Sequence, residues 1–172
     1  MTTPLAARPA PFATARLDAV PLSVAHADEM AAVLADPALH AFTGGAPDGP
    51  DALRARYARQ TAGSPDPGEL WWNWVLRVRD EGRLAGYVQA TVGTAAARAE
   101  IAWVLGTAFQ GRGYAKEAAT ALVTHLRTTG AARTVVAHIH PDHTASAAVA
   151  GAAGLARTGE WEDGEERWRL AL

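Results

Sequence analysis

The sequence contains no cysteine, which excludes a disulfide framework and a cysteine nucleophile. It lacks an apolar run long enough to cross a bilayer, and its start has no basic segment followed by an apolar one. Neither sign of charge is in excess, with 16 Lys and Arg against 18 Asp and Glu, and the arginines are scattered. We therefore expect a cytoplasmic protein with no membrane or nucleic-acid partner, although a local anion site stays compatible with this composition.

Apolar residues, by contrast, are plentiful. They make up 49% of the 172 residues, against 20% charged, which is enough for one soluble domain with its own core. No internal repeat or second domain is evident, so residues 1–172 are predicted to form a single domain. Residues 1–12 are rich in proline and alanine and lack periodicity, which predicts a loose N-terminal arm.

The hydrophobic pattern predicts a mixed α/β fold. A short strand in residues 14–22 precedes two helices, the second of which begins near Pro50. Aromatic and β-branched residues between turn signals in residues 70–105 then predict a meander of three antiparallel strands. The predicted order continues with a helix, a buried strand, an alanine-rich helix and two last strands joined at Asp163-Gly164.

Three glycines and an arginine precede the third predicted helix, in the segment GTAFQGRGYAKEAA (residues 106–119). A P-loop would need a lysine and a hydroxyl where Arg112 and Gly113 stand. A dinucleotide-binding fingerprint would need a glycine where Lys116 stands. Neither nucleotide motif fits, which disfavours a nucleotide-binding module and leaves a simple turn into a surface helix as the structural alternative.

A third pattern does fit this segment. QGRGYA resembles the Q/R-x-x-G-x-G/A motif of the GCN5-related N-acetyltransferase (GNAT) superfamily, through Gln110, Gly113 and Ala115. The segments TARLDAVPL, FTGG, GYVQATV, AEIAWVL and PDHTASAAVAGAAGL extend the resemblance over nearly the whole chain, to the branch of the ribosomal-protein-alanine N-acetyltransferases (RimJ/RimL type). It implies a GNAT fold, a largely antiparallel twisted sheet of about seven strands that is splayed between strands 4 and 5 and flanked by about four helices.

The resemblance also implies acetyl-CoA as cosubstrate, without a metal. The pantetheine arm would lie in the wedge between strands 4 and 5, and the pyrophosphate would face the N–H groups and positive dipole end of the following helix. The coenzyme-binding residues implied in this way are Trp103, Val104, Leu105, Gln110, Gly111, Arg112, Gly113, Tyr114, Ala115, His143 and Ser146.

Acetyl transfer to an amine requires a neutral amine, stabilisation of the oxyanion and a proton for the leaving thiolate. Direct attack in a ternary complex is the simplest route, and the resemblance places the oxyanion donor at a backbone N–H near Val104. Glu100 occupies the commonest base position in relatives, and Glu160 is a second candidate; solvent-exposed charges are the alternative for both. The tyrosine acid of many relatives is missing, whereas Ser146 matches the serine of the branch's N-x-x-S pattern. The resemblance places Ser146 near the coenzyme sulfur, as a coenzyme contact or a catalytic proton relay, and a serine that faces solvent or bonds within its own helix is the structural alternative.

His143 replaces the asparagine of that pattern. A histidine there can hydrogen-bond to the pantetheine amide or act as a base near neutral pH, and a tolerated substitution is the structural alternative. His143 also forms H-x-H-x-x-H with His138 and His140. No carboxylate triad accompanies these histidines, so a structural role is predicted rather than a metal site.

The acceptor is expected to be a primary amine, either a protein N-terminus or a small amine, because family membership does not settle the substrate. Strand alternation places Trp72 and Trp74 on one face and Trp71 on the other. The residues predicted to border the acceptor cleft are Phe42, Thr43, Trp72 and Trp74, with the core as the alternative for the tryptophans.

A different class of function is also open at this point. The missing tyrosine and the altered asparagine suit a non-catalytic acyl-CoA sensor or partner protein, which would bind the coenzyme without releasing thiol. Relatives often pair through edge strands, so the last hairpin is the place to look for a homodimer.

Overall fold

One eight-stranded sheet organises the computed structural model, which describes residues 5–172. Its spatial order is β1-β2-β3-β4-β5-β6-β8-β7, and every neighbouring pair is antiparallel except β5 and β6. The strands are β1 (Phe12–Ala13), β2 (Leu17–Pro21), β3 (Glu69–Val78), β4 (Arg83–Gly93), β5 (Arg98–Leu105), β6 (Thr134–Ile139), β7 (Ala156–Glu162) and β8 (Glu165–Ala171).

The α-helices of the described residues lie on both faces of this sheet. On one face, called here the α2 face, Met30, Leu53 and Tyr57 of the first two helices pack against Val75 and Leu84. The other two helices cover the opposite face, called here the α3 face, where they contact each other and the larger core cluster. The helices are α1 (Ala27–Val33), α2 (Pro50–Ala62), α3 (Tyr114–Thr128) and α4 (Thr144–Ala152). The mixed α/β class and the predicted order of elements are confirmed.

The N-terminal arm differs from the prediction. The carbonyls of Ala6 and Ala10 accept hydrogen bonds from the indole nitrogens of Trp72 and Trp74, at 3.2 and 2.9 Å. A buried indole N–H needs such an acceptor, so the arm is held against the sheet rather than loose. Phe12 then opens an additional strand, β1, which raises the count from about seven to eight. Residues 1–4 of the predicted arm lie outside the described residues.

The predicted splay is present between the fourth and fifth predicted strands, which are β5 and β6 of the structure. These strands are parallel and pair only where Arg98–Glu100 face Thr134–Val136. Beyond those three residue pairs, β5 continues to Leu105 and β6 to Ile139 without pairing with each other. The sheet therefore opens into a wedge at the carboxyl ends of β5 and β6, where the glycine segment and the loop before α4 also begin.

Within residues 5–172, no helix is both long enough and apolar enough to span a membrane.

Candidate active site

The glycine segment leads from the end of β5 into α3, at the open end of the wedge. Gly111 and Gly113 have φ angles of +74° and +80°, a left-handed conformation that favours glycine, and Gly113 immediately precedes the first turn of α3. The Gln110 side chain folds back, and its Nε2 donates to the Leu105 carbonyl at 3.0 Å. Gln110 thus fixes the shape of the loop, and the first backbone N–H groups of α3 have no partner within their own helix, an arrangement that suits an anion.

Arg16, which the sequence analysis did not single out, lies beside this loop. Its Nη1 donates to the Arg112 carbonyl at 2.9 Å, and its guanidinium carbon lies 4.6 Å from the centre of the Tyr114 ring. Its Nε donates to Glu117 Oε2 at 2.7 Å. Because 101 residues separate Arg16 from Glu117, sequence spacing gave no sign of this pair.

This pairing also neutralises a charge that would oppose a bound pyrophosphate. Glu117 stands in the first turn of α3 and accepts hydrogen bonds from the Thr14 hydroxyl and from the Arg16 backbone N–H, the latter at 2.8 Å. Partial burial alone would raise the pKa of Glu117, but the bonds from Thr14 and Arg16 outweigh it and lower that pKa.

Replacing Glu117 by glutamine should destabilise the fold in a pH-dependent way. Since folding lowers the pKa of Glu117, its contribution is complete above the unfolded-state value of about 4.3 and is lost as the pH falls through the folded value. The free energy of unfolding in urea should drop by about 1 kcal/mol at neutral pH, because the pair is partly exposed to solvent. Wild type and variant should converge on acidification; an equal difference at every pH would contradict this account.

Three residues of the predicted coenzyme set reach the site chiefly through their backbones. Leu105 and Tyr114 are buried side chains of the core beneath α3, and Trp103 packs partly against the same core. Alternation along β5 places the side chains of Glu100 and Val104 on the α2 face instead, beside those of their partners on β4, Thr91 and Tyr87.

His143 caps α4. Its Nδ1 accepts a hydrogen bond from the Ser146 backbone N–H at 3.3 Å, and the Phe42 ring stacks on it with centroids 4.4 Å apart. Burial, helped by the neighbouring His140, lowers the pKa of His143. Since Nδ1 already accepts this bond from Ser146, Nε2 is the ring nitrogen of His143 that is left for a ligand, and its roles as coenzyme contact or base stay predictions.

Phe42 links the segment that was predicted to border the acceptor cleft with residues that were predicted to bind the coenzyme. It lies after α1, yet its ring contacts both His143 and His140 from the loop between β6 and α4. Thr43 follows it in an exposed turn. The segment after α1 thus reaches the loop that leaves β6, at the open end of the wedge.

Trp72 and Trp74, which were predicted to border the acceptor cleft with the core as the alternative, are buried, although Trp74 also contributes to the lining of the cavity described below. Their side chains are 3% and 0% exposed and make edge contacts with His125 of α3, so they belong to the core of the α3 face. Strand alternation predicts that Trp72 and Trp74 share a face of the sheet, but it does not predict that α3 covers this face. Asn73, which stands between the two tryptophans, lies on the α2 face instead, as does its partner Gln89 on β4.

A small cavity of about 30 Å³ lies on the α2 face, between α2 and strands β3 and β4. The Tyr57 hydroxyl is buried there without a hydrogen-bond partner among the described residues, and burial raises the pKa of Tyr57 to about 12. Burial raises the pKa of Tyr87 as well. The polar groups that line this cavity are those of Arg56, Tyr57, Gln60, Asn73, Tyr87 and Gln89.

Glu100 stands where β5 and β6 part. Its side chain is 50% exposed, and its Oε1 lies 3.0 Å from His138 Nδ1. Glu160, the second base candidate, is paired with Arg167 at 2.7 Å. No group of three His, Asp or Glu residues within the described range is arranged to hold a metal ion.

The acetyltransferase (GNAT) domain family matches residues 16–156, most of the chain. The chain belongs to the GNAT acetyltransferase family. As a GNAT protein it is an acetyltransferase, and the wedge, the glycine segment and α3 all lie within the matched residues. A search of the curated proteins gives no match.

Solved structures confirm the GNAT fold. A GNAT-family acetyltransferase from Bacillus anthracis is 16% identical, with a TM-score of 0.80 over 94% of this chain and 98% of that one. The microcin C7 self-immunity acetyltransferase MccE, solved with acetyl-CoA and AMP, is 16% identical, with a TM-score of 0.77 over 92% and 93%. The ribosomal L7/L12 α-N-protein acetyltransferase RimL, solved with coenzyme A, is 17% identical, with a TM-score of 0.74 over 92% and 96%.

Proposed function

We propose that this GNAT enzyme transfers the acetyl group of acetyl-CoA to a primary amine by direct attack within a ternary complex. The observation that carries the proposal is the wedge: β5 and β6 stop pairing at Glu100 and Val136, directly ahead of a glycine loop that opens a helix. Two strands that part in this way leave backbone N–H and C=O groups that need partners. The amides of a pantetheine arm supply such partners.

The rest of the coenzyme would follow the geometry of the loop. Its pyrophosphate would face the backbone from Gly111 to Ala115, where the helix dipole favours an anion and Arg16 cancels the charge of Glu117. His143 would offer its Nε2 hydrogen to the pantetheine, and Ser146, one turn into α4, would lie near the sulfur. RimL and MccE, solved with coenzyme A and with acetyl-CoA, support this use of the shared fold.

The reaction needs few protein groups. The amine nitrogen attacks the thioester carbonyl carbon, and a backbone N–H of β5 near Val104 stabilises the oxyanion that forms. Glu100 takes the proton of the attacking amine, directly or through a water molecule. The C–S bond then breaks, and the thiolate leaves and takes up a proton.

The acceptor would enter over the α2 face. The Tyr57 hydroxyl and the amides of Asn73 and Gln89 suit an acceptor with carbonyl or amide groups near its amine, such as a peptide N-terminus or an amino acid. Arg56 is paired with Asp48 at 2.6 Å, and the lining of the cavity includes no Asp or Glu. A polycationic amine therefore fits this surface less well.

An amine panel with thiol detection tests the proposed function. The purified protein is incubated with acetyl-CoA and peptides, amino acids, polyamines or aminoglycosides, and the acetylated product is identified by mass spectrometry. We expect thiol release with a peptide or amino acid, and slower release with polyamines. Coenzyme binding without thiol release for any amine would favour the acyl-CoA sensor instead.

A further inference from the structure

A chain of hydrogen-bonded side chains runs across β5, β6, β8 and β7 on the α2 face, beginning at Glu100. Its second member is His138, which adjoins Glu100 because the parallel pairing of β5 with β6 ends just before it. The side chain of His138 is only 14% exposed, against 50% for that of Glu100. The proposed reaction gives His138 no role of its own.

The hydrogen bonds of His138 fix which ring nitrogen carries the hydrogen. Arg167 Nε always bears a hydrogen and lies 3.3 Å from His138 Nε2, so Nε2 of the neutral ring accepts. Nδ1 therefore carries the hydrogen and donates it to Glu100 Oε1 at 3.0 Å. Arg167 thus selects the tautomer that points a donor at the carboxylate.

Arg167 is itself held in place from β7. Its Nη1 donates to Glu160 Oε2 at 2.7 Å and its Nη2 to Glu162 Oε2 at 3.2 Å. Glu162 Oε2 also lies 3.3 Å from His138 Nε2. The ring of His138 is consequently fixed on one side by an arginine with two carboxylate partners and on the other by Glu100.

We infer that His138 is a positioning residue for Glu100, and this inference rests on the proposed function of Glu100 as base. The Nδ1–H bond holds one carboxylate oxygen at the root of the wedge, while the other oxygen stays free to accept a proton from the amine. Without this bond, a half-exposed glutamate on a strand would sample several rotamers and seldom adopt the productive one.

The test is a double-mutant cycle on kcat with the fastest acceptor of the amine panel. His138→Leu should lower kcat about 10- to 100-fold, the range for losing a hydrogen bond to a charged group, with an unchanged KM for acetyl-CoA. His138→Asn should restore most of the rate, because its amide N–H can take the place of Nδ1–H. In the Glu100→Gln background, His138→Leu should cause no further loss.

Arg169→Leu is the matched control, because Arg169 is an exposed residue of β8 whose partner in the ladder is Val136. It should leave kcat close to that of the wild type. Thermal unfolding of every variant separates loss of fold from loss of rate. If His138→Leu fails to fold, His138→Asn and His138→Gln decide the question: Asn should be active and Gln, whose amide reaches toward Nε2 instead, should not.

Three results would overturn the inference alone: an unchanged kcat for His138→Leu, no rescue by His138→Asn, or an equal loss on top of Glu100→Gln. A wild-type protein that acetylates no amine would overturn the proposed function and this inference together. Full activity of Glu100→Gln would remove both the base and the need to position it, while acetyl transfer itself would stand.

Discussion

Replacing Glu100 by glutamine should lower kcat at least about 100-fold and leave the affinity for acetyl-CoA unchanged, since a general base contributes at least this much. Glutamine keeps the size of glutamate and can still hydrogen-bond to His138, but it cannot accept the proton of the amine. The exposed position of Glu100 makes a loss of fold unexpected. Steady-state kinetics with both substrates saturating, together with a direct binding measurement, would check this.

The pH dependence of the rate provides a second test of the same variant. Without a base, hydroxide must take the proton of the amine instead, so the rate of the variant should continue to rise with pH beyond the point where the wild type levels off. Glu160→Gln serves as the comparison, because Glu160 is already engaged by Arg167 and should matter far less. Equal losses for the two variants, or a larger one for Glu160→Gln, would contradict the assignment of the base.

Gly86→Ala should cause the largest loss of stability, because β4 and β5 approach closely there. A Cβ atom at Gly86 would lie 2.9 Å from the Leu105 Cα and closer still to the Val104 carbonyl oxygen, distances that real Cβ atoms do not show. Both contacts are with backbone, which cannot rotate away. We expect the free energy of unfolding to fall by about 3 kcal/mol and the Tm by about 6 to 12 °C.

Gly93→Ala is the matched control on the same strand. Its Cβ would meet the Arg98 carbonyl oxygen at 3.6 Å, an ordinary van der Waals distance, so the change should stay within about 1 kcal/mol. Because Gly86 faces the end of β5 that borders the wedge, Gly86→Ala should also weaken acetyl-CoA binding. If the two variants were equally stable, β4 and β5 would separate at Gly86 at little cost in free energy, which would contradict this prediction.

Local signals predicted the framework well. The αL glycines before α3, the Pro50 start of α2 and the Asp163-Gly164 turn each depend on a few neighbouring residues, and each appears in the structure as the sequence indicates. The splay of β5 and β6 came from family resemblance, because which strands stop pairing is a property of the assembled sheet.

The misses share a physical cause, which is contact between residues distant in sequence. Arg16 reaches α3 only after the sheet forms, and the arm is held because the indoles of Trp72 and Trp74 require acceptors.

The most direct test of the central claim is a calorimetric titration with acetyl-CoA of the wild type, Gly113→Asp and Gly130→Asp. Both glycines are exposed and have positive φ, of +80° and +67°, but they lie at opposite ends of α3, so the two variants carry the same charge and comparable strain. The account predicts that wild type and Gly130→Asp bind acetyl-CoA, and that Gly113→Asp, with a carboxylate at the pyrophosphate site, does not. Equal binding by all three proteins, or by none, would contradict it.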